Sequence, residues 1–390
     1  MVTLQSAENA LKTLYLGVAS DQLNTGINPL FAKIRHTASD VWGKEIRKLA
    51  PFGINGGIGA GTETGLLPAP AENKYAQFVL TLKNLYGTIE ISDKAMRASQ
   101  NSAGAFVNLL NAEMEGLLKA SKFNFGRMLY GDGSGVLAKV VSQTGNSVIV
   151  DSVKNLIEGM VVDFLTGGTV IAGANSRRIE SVDRGQNTVF VSGITMPAGT
   201  LAADDIITVQ GSYGNEITGL AAIFGGSAEL YGISRAQNKW MQPQSYTAAA
   251  GVINDVTIQK AIDDLEEVAG SHADFIVCSF GVKRAYQDYL SQHKMNVDIL
   301  DLAGGYKAIS YNGIPLVSDR FAPAGTMYIL DSKEFNLHQL CDWRWLESDD
   351  GRIIKQQANK PIYNATLVKY ADLICDKPSG QAKIIGITEK

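Results

Sequence analysis

The chain has 390 residues, of which 45% are hydrophobic and 19% charged. This is the composition of a globular protein long enough for two or three domains, and it excludes a disordered or collagen-like chain. The formal net charge of −4 excludes a protein that attracts nucleic acid over its whole surface, so any contact with DNA must be local and weak.

The predicted elements, in chain order, begin with an arm. Residues 1–48 read as extended or partly helical, with a short helix over Ala7–Tyr15 and a break at Gly26 and Asn28-Pro29. The end of the arm is locally basic, with Lys33, Arg35, Lys44, Arg47 and Lys48 against Asp40 and Glu45. From Pro51 to Asn73 the glycines and prolines forbid a regular element, and β runs flank the stretch, so it reads as a long projecting hairpin loop. Ser92-Asp93 signals a helix start. Beyond a break at Ser99–Ser102, the residues Phe106, Leu110, Met114, Leu117, Leu118, Phe125 and Leu129 form one apolar stripe on a long amphipathic helix. Gly131–Gly135 ends it.

Residues 136–211 change character. Short β runs at Val136–Val141, Ser147–Val150, Met160–Leu165, Arg178–Val182, Thr188–Val191 and Asp205–Val209 are punctuated by Gly, Asn and Asp, the pattern of a small barrel or sandwich. Glycines bound the block at both ends, as expected of a domain inserted at a loop tip. From Asn254 the pattern is α/β. A helix over Val256–Ala269, a buried strand Phe275–Cys278 and a helix over Val282–Gln292 capped by Ser279 come first. Asn312-Gly313 between two β runs predicts a tight hairpin. Pro315 in its second run predicts a strand that lies at an edge or starts late. The run Met327–Asp331 follows, then longer strands at Phe335–Leu346 and Arg352–Ala358 joined by the acidic turn Glu347–Gly351, and last the runs Thr366–Cys375 and Lys383–Ile387.

Chemistry is hard to find in this pattern. His36, His272, His293 and His338 stand at no metal-ligand spacing from one another or from a cysteine. Cys278, Cys341 and Cys375 form no Cys-x-x-Cys pair and read as reduced, buried thiols. No Gly-x-Ser-x-Gly elbow is present, and no Lys-Ser/Thr follows the glycines of residues 53–65, so no phosphate-cradling loop is expected. Glu347, Asp349 and Asp350 supply too few ligands for calcium and read as a solvated turn. Trp343 and Trp345 share one strand face and read as core or subunit packing. Catalytic residues, cofactors and metal ligands are therefore all expected to be none. Met1–Gln5 opens without the basic and apolar regions of an export signal, and no apolar run approaches the roughly 18 residues of a membrane span.

Two stretches carry a family resemblance. One is Leu85-Tyr-Gly-Thr-Ile-Glu-Ile-Ser-Asp-Lys-Ala-Met96 leading into the long helix; the other is Tyr311-Asn-Gly-Ile-Pro-Leu-Val-Ser-Asp319 with Tyr328-Ile-Leu-Asp331. With the order of elements around them, the chain resembles the tailed-bacteriophage major capsid proteins of the Hong Kong 97-like fold, an α+β class. The resemblance implies an N-terminal arm (1–48), an extended loop (49–84) and a peripheral domain with a spine helix (85–135, completed by 335–368). It also implies an axial domain (213–334, completed by 369–390), with 136–212 as an inserted β-domain. The function implied is assembly rather than catalysis: copies of the chain form pentamers and hexamers of an icosahedral shell around a double-stranded DNA genome. The partners implied are the chain itself, a separate scaffolding protein, a portal, a decoration protein and weakly held packaged DNA, with no membrane. The place implied is the virion, after synthesis in the bacterial cytoplasm. The chain departs from the best-known pattern in opening almost directly with the arm, so scaffolding is expected to be separate, absent or removed. A crosslink between Lys74 and Asn364 of neighbouring copies is conceivable. An encapsulin-like nanocompartment shell, a secreted β-rich binding protein and a small-molecule enzyme on residues 254–334 stand as alternatives.

Overall fold

The computed structural model describes residues 29–38, 41, 45–93, 103–293, 299–302, 306–347, 351 and 353–390. The helix expected over Ala7–Tyr15 and the Asp349-Asp350 turn lie outside them. The described chain opens with α1 (Pro29–Lys33) and β1 (Arg35–Thr37), then β2 (Glu45–Phe52) and β3 (Lys74–Thr81), β4 (Lys83–Ser92) and the long helix α2 (Ala103–Met128). At 1.5 Å per residue α2 is about 40 Å long. Met114, Leu118, Phe125 and Leu129 of the apolar stripe are buried. Leu117 packs so closely on Gly87 of β4 that a Cβ there would sit 2.8 Å from it, which is why β4 carries a glycine at its crossing with the helix.

The next block is a closed barrel. Its strands are β5 (Val136–Thr144), β6 (Ser147–Val150), β7 (Val161–Thr166), β8 (Thr169–Val170), β9 (Arg177–Asp183), β10 (Thr188–Val191) and β11 (Ile206–Val209). They run in the order β11-β5-β6-β10-β9-β7-β8, and a further β11–β7 pairing closes the ring. Closure removes the exposed edges that an open sheet would present. The interior is filled by a separate core that includes Val140, Val148, Phe164, Ile179, Val189 and Ile207. The two chain ends of the barrel meet, with the Gly214 N–H donating to the Ser134 carbonyl at 2.8 Å.

After α3 (Leu220–Ile223), β12 (Glu229–Leu230) and β13 (Ile233–Ser234) comes the α/β part. It consists of β14 (Gln244–Thr247), α4 (Asp255–Ala269), β15 (Phe275–Cys278), α5 (Phe280–Gln292), β16 (Ile299–Leu302), β17 (Tyr306–Tyr311), β18 (Ile314–Ser318) and β19 (Met327–Leu330). Side-chain caps start both helices: Asn254 Oδ1 accepts from Thr257 N at 2.8 Å, and Ser279 Oγ from Val282 N at 3.3 Å. The Asn312-Gly313 turn has positive φ at both residues, 48° and 81°, the geometry a two-residue hairpin needs. Pro315 does not put β18 at an edge, since β18 lies between β17 and β15. The parallel ladder to β15 begins only at Leu316, so the missing N–H falls before it, and the strand starts late on that side.

The chain closes with β20 (Phe335–Trp345), β21 (Lys355–Gln356), β22 (Ile362–Cys375) and β23 (Ala382–Ile385). The strand expected over Arg352–Ala358 shrinks to the two residues of β21. Asn359 turns the chain with φ 59°, and Pro361 follows with no N–H to donate. β23 joins the α/β sheet, giving the order β14-β23-β19-β15-β18-β17-β16, and α4 and α5 bury Ile258, Leu265, Val282 and Tyr286 in the core it shares. β22 is the centre of the other large sheet, with β20 and then β1 on one side and β4 on the other. The core beneath it takes in α2, the hairpin stem and Trp343 and Trp345.

Candidate assembly surface

The stretch with the least reason to stay as it is in an isolated subunit is the hairpin of β2 and β3. Its stem is paired without interruption from Glu45↔Thr81 to Phe52↔Lys74. The inward side is core: Ile46, Ala50, Phe78 and Leu80 are buried. Phe52 stacks on Trp240 with ring centroids 5.1 Å apart, and Phe78 packs against Trp240 and Tyr231. One ion pair ties the stem to the chain's C-terminal part. Lys48 Nζ lies 2.6 Å from Asp376 Oδ2, which also accepts from Asn336 Nδ2 at 2.7 Å. Burial and the nearby Asp331 and Asp376 carboxylates push Glu334 beside them above the ordinary glutamate range. A cavity of about 420 Å³ runs along the stem, between Leu49, Phe52 and Trp240 on one side and Val268 and Lys377 on the other.

Beyond Phe52 the chain leaves the core. Gly53, at φ 72°, ends the stem, and residues 58–75 are exposed throughout. The hydrogen bonds within the loop are short-range: Gly57 N to Asn55 Oδ1 at 2.8 Å and Gly65 N to the Thr62 carbonyl at 3.0 Å. Yet the loop carries Ile54, Ile58, Leu66 and Leu67, exposed by 81%, 75%, 98% and 90%. Full burial of such a side chain is worth about 1.5–3 kcal/mol. Four of them held in water beyond a fully paired stem make this loop the candidate contact surface. Sequence reading identified the loop but missed these residues. The signal was there, as large aliphatic side chains inside a Gly/Pro stretch that cannot form a core element.

Among the described residues no group of three or more His, Cys, Asp and Glu side chains is placed to hold a metal. Cys278 and Cys375 are buried, and burial raises both thiols above their ordinary pKa, Cys278 to about 12. Cys341 is half-buried. β1 and β20 bring His36 and His338 onto adjacent strands, where His338 pairs with Thr37, while His272 and His293 lie elsewhere on the exposed surface. Trp343 and Trp345 are both core. Lys74 stands exposed at the distal end of the stem, and Asn364 lies on β22 opposite Glu90. No helix among the described residues is long and apolar enough to cross a membrane.

No protein-family model matches the chain, and no curated protein does. Solved structures do. A chain of the cyanophage A-1(L) capsid asymmetric unit is 13% identical, covers 95% of this chain and 92% of its own length, and superposes with a TM-score of 0.56. A chain of the holo-SrpI encapsulin complex of Synechococcus elongatus is 10% identical, with 95% of both chains covered and a TM-score of 0.47. A chain of Mycobacterium phage Bobi is 11% identical, with 93% and 91% covered and a TM-score of 0.45. The first shows the fold, and it is the Hong Kong 97-like α+β capsid fold expected from the sequence.

Proposed function

We propose that the chain is the major capsid protein of a tailed double-stranded DNA bacteriophage and that its activity is self-assembly. The observation that carries this reading is the hairpin loop. On a body with a capsid fold, it presents Ile54, Ile58, Leu66 and Leu67 to water with none of the described residues covering them. A second copy is the fitting cover. A loop of one copy that lies on a different part of the next makes a heterologous contact, and heterologous contacts that close make rings. Rings of five and six copies then tile a closed icosahedral shell. Ordering the loop on assembly offsets part of its burial energy, which keeps each contact weak and the shell correctable.

In this reading residues 45–81 form the extended loop. α2 with β4, β20 and β22 is the peripheral part, the α/β sheet with α4 and α5 is the axial part, and the barrel is an insertion between them. The role is structural and not enzymatic, and the place is the virion capsid. A separate scaffolding protein, a portal, a decoration protein and the enclosed DNA are the partners expected, with synthesis in the host cytoplasm.

The test is negative-stain electron microscopy with light scattering on the purified protein. Closed shells, or pentamers and hexamers, are expected, and shells that enclose nucleic acid separate the phage reading from a nanocompartment that encloses an enzyme. A monomer that persists at high concentration, with or without a co-expressed scaffold, would overturn the proposal.

A further inference from the structure

One face of α2 carries cations that form no ion pair among the described residues. Lys119 and Phe123 are one helical turn apart on the same side, and Lys122 adjoins them. The segment 319–325 after β18 packs on that side. Phe321 meets Phe123 edge-on with centroids 5.3 Å apart, and it approaches Gly126 so closely that an added Cβ would sit 2.6 Å from its ring. Over this aromatic pair lies the Arg320 guanidinium, 4.9 Å from the Phe123 centroid and 5.2 Å from that of Phe321. Lys119 and Arg320 are exposed and Lys122 is half-buried. Among the described residues no ion pair involves any of the three.

The carboxylates nearby accept hydrogen bonds from other groups, and Asp319 offsets part of the Arg320 charge. Asp319 accepts from Tyr130 Oη and from Phe321 N, both at 2.9 Å. Glu389 accepts from Ser279 Oγ and from Gly325 N. Glu115 stands one turn before Lys119 without pairing to it. Lys154 of the barrel stands close by, where its ammonium donates to the Ala322 carbonyl and feels the Glu389 and Asp319 carboxylates as well as Arg320. Burial, with no opposite charge to counter it, holds the Lys122 pKa below the usual lysine value. In a chain of net charge −4 this is a local concentration of like charge on a rigid helix, with one guanidinium pre-set by stacking.

We propose, resting on the shell reading, that the face formed by Lys119, Lys122 and Arg320 contacts the phosphates of double-stranded DNA enclosed by the shell. The chemistry is that of phosphate recognition. The cations offer charge and donors but no pattern aimed at base edges, so the contact is independent of sequence. Three neutralised phosphates give a slope of about −2.7 in log affinity against log salt, or about a 40-fold loss between roughly 50 and 200 mM salt. A contact this weak in one subunit is multiplied by the number of copies in a shell.

The experiment is fluorescence anisotropy of a random-sequence DNA duplex titrated with the full-length protein at those two salt concentrations. It compares wild type, the triple variant Lys119→Glu/Lys122→Glu/Arg320→Glu, the milder Lys119→Gln/Lys122→Gln, and a barrel control, Arg178→Glu/Arg184→Glu. Wild type and control are expected to bind with the steep salt dependence. The triple variant should lose binding, and the milder variant should keep its melting temperature while its salt slope falls by about 1.8. Unchanged binding by the triple variant, equal loss in the barrel control, or no wild-type binding at low salt would overturn the assignment. So would poly-glutamate competing as well as DNA, which would make the occupant an acidic protein. Triple-variant shells that form normally and bind DNA as before would sink this face alone. Wild-type protein that binds in the expected way but never assembles would sink the shell reading and leave the face standing.

Discussion

The Lys369 ammonium lies 2.6 Å from Asp342 Oδ1, with the lysine side chain wholly out of water and the aspartate side chain still 28% exposed. Gln339 Oε1 accepts a second hydrogen bond from it at 2.9 Å, and the Phe125 and Trp343 rings lie 5.3 and 5.9 Å away. Burial lowers the Lys369 pKa, and Asp342 offsets this only in part. The cost of desolvation thus exceeds the gain from the pair, as is common for buried ion pairs.

That imbalance predicts an asymmetry between the two partners. Asp342→Ala strands an uncompensated buried cation and should cost about 3–5 kcal/mol. Lys369→Met keeps the apolar volume against Phe125 and Trp343 and leaves a carboxylate that water can reach, so it should cost less than about 2 kcal/mol. Urea unfolding of the subunit measures both. Equal costs, or a larger cost for Lys369→Met, would show that the pair is a net stabiliser.

Asp372 makes a prediction about pH. It is buried on β22 and accepts from Thr218 N at 2.7 Å, Thr218 Oγ1 at 3.3 Å and Leu373 N at 2.8 Å. Burial outweighs these bonds and pushes its pKa from 3.8 to about 6. A folded-state pKa above the unfolded one means that the folded state takes up a proton more readily. The group therefore costs nothing below about pH 4, and its penalty grows as pH rises to 6 and is complete above that. Asp372→Asn should raise stability by up to about 3 kcal/mol at pH 8 and by nearly nothing at pH 4. Thermal melts of both proteins across that range decide the matter, and a gain that does not vary with pH would rule out titration of Asp372 as its source.

These two sites mark where sequence reading stopped. Local features were legible, because each is written in neighbouring residues. The Asn312-Gly313 turn, the Asn-Gly-rich punctuation of the barrel strands and the Ser279 cap are of this kind. The Lys369–Asp342 pair depends on how β20 and β22 are set against each other, and β20 shifts register twice, between Gln339 and Cys341 and between Cys341 and Arg344. A one-residue slip would have sent these side chains to opposite faces. Exposure was equally hidden. Ile54 and Leu66 are aliphatic residues whose type alone predicts burial, and only the course of the loop puts them in water.

Arg127 and Glu216 join α2 to the chain that returns from the barrel. Two guanidinium nitrogens reach the two carboxylate oxygens at 2.9 and 2.5 Å, with both side chains almost fully buried. The planar fork suits this geometry and an ammonium does not. Arg127→Lys should cost about 2–4 kcal/mol and expose the Gly211–Gly214 crossing to protease before the barrel core unfolds. Limited proteolysis with mass spectrometry locates the first cut, and a first cut inside β5–β11 would place the weak point in the barrel itself.

The hairpin loop gives the most direct division between folding and assembly. Phe52 and Lys74 face each other at the end of the stem, so deleting Gly53–Pro70 leaves Ala71–Asn73 as a three-residue connection of a length hairpins use readily. None of the removed residues belongs to a core, so the deleted subunit should keep its melting temperature within the error of the measurement. It should also fail to form stable shells, because the apolar surface of Ile54, Ile58, Leu66 and Leu67 is gone. Leu66→Ser/Leu67→Ser removes two of the four without changing the backbone, and it should raise the protein concentration needed for assembly. Light scattering against concentration, with electron microscopy at the plateau, measures both variants. Normal shells from the deletion would mean that copies of the chain hold together through another surface. A lowered melting temperature would mean that the loop supports the stem, a role its exposed residues and short-range hydrogen bonds argue against.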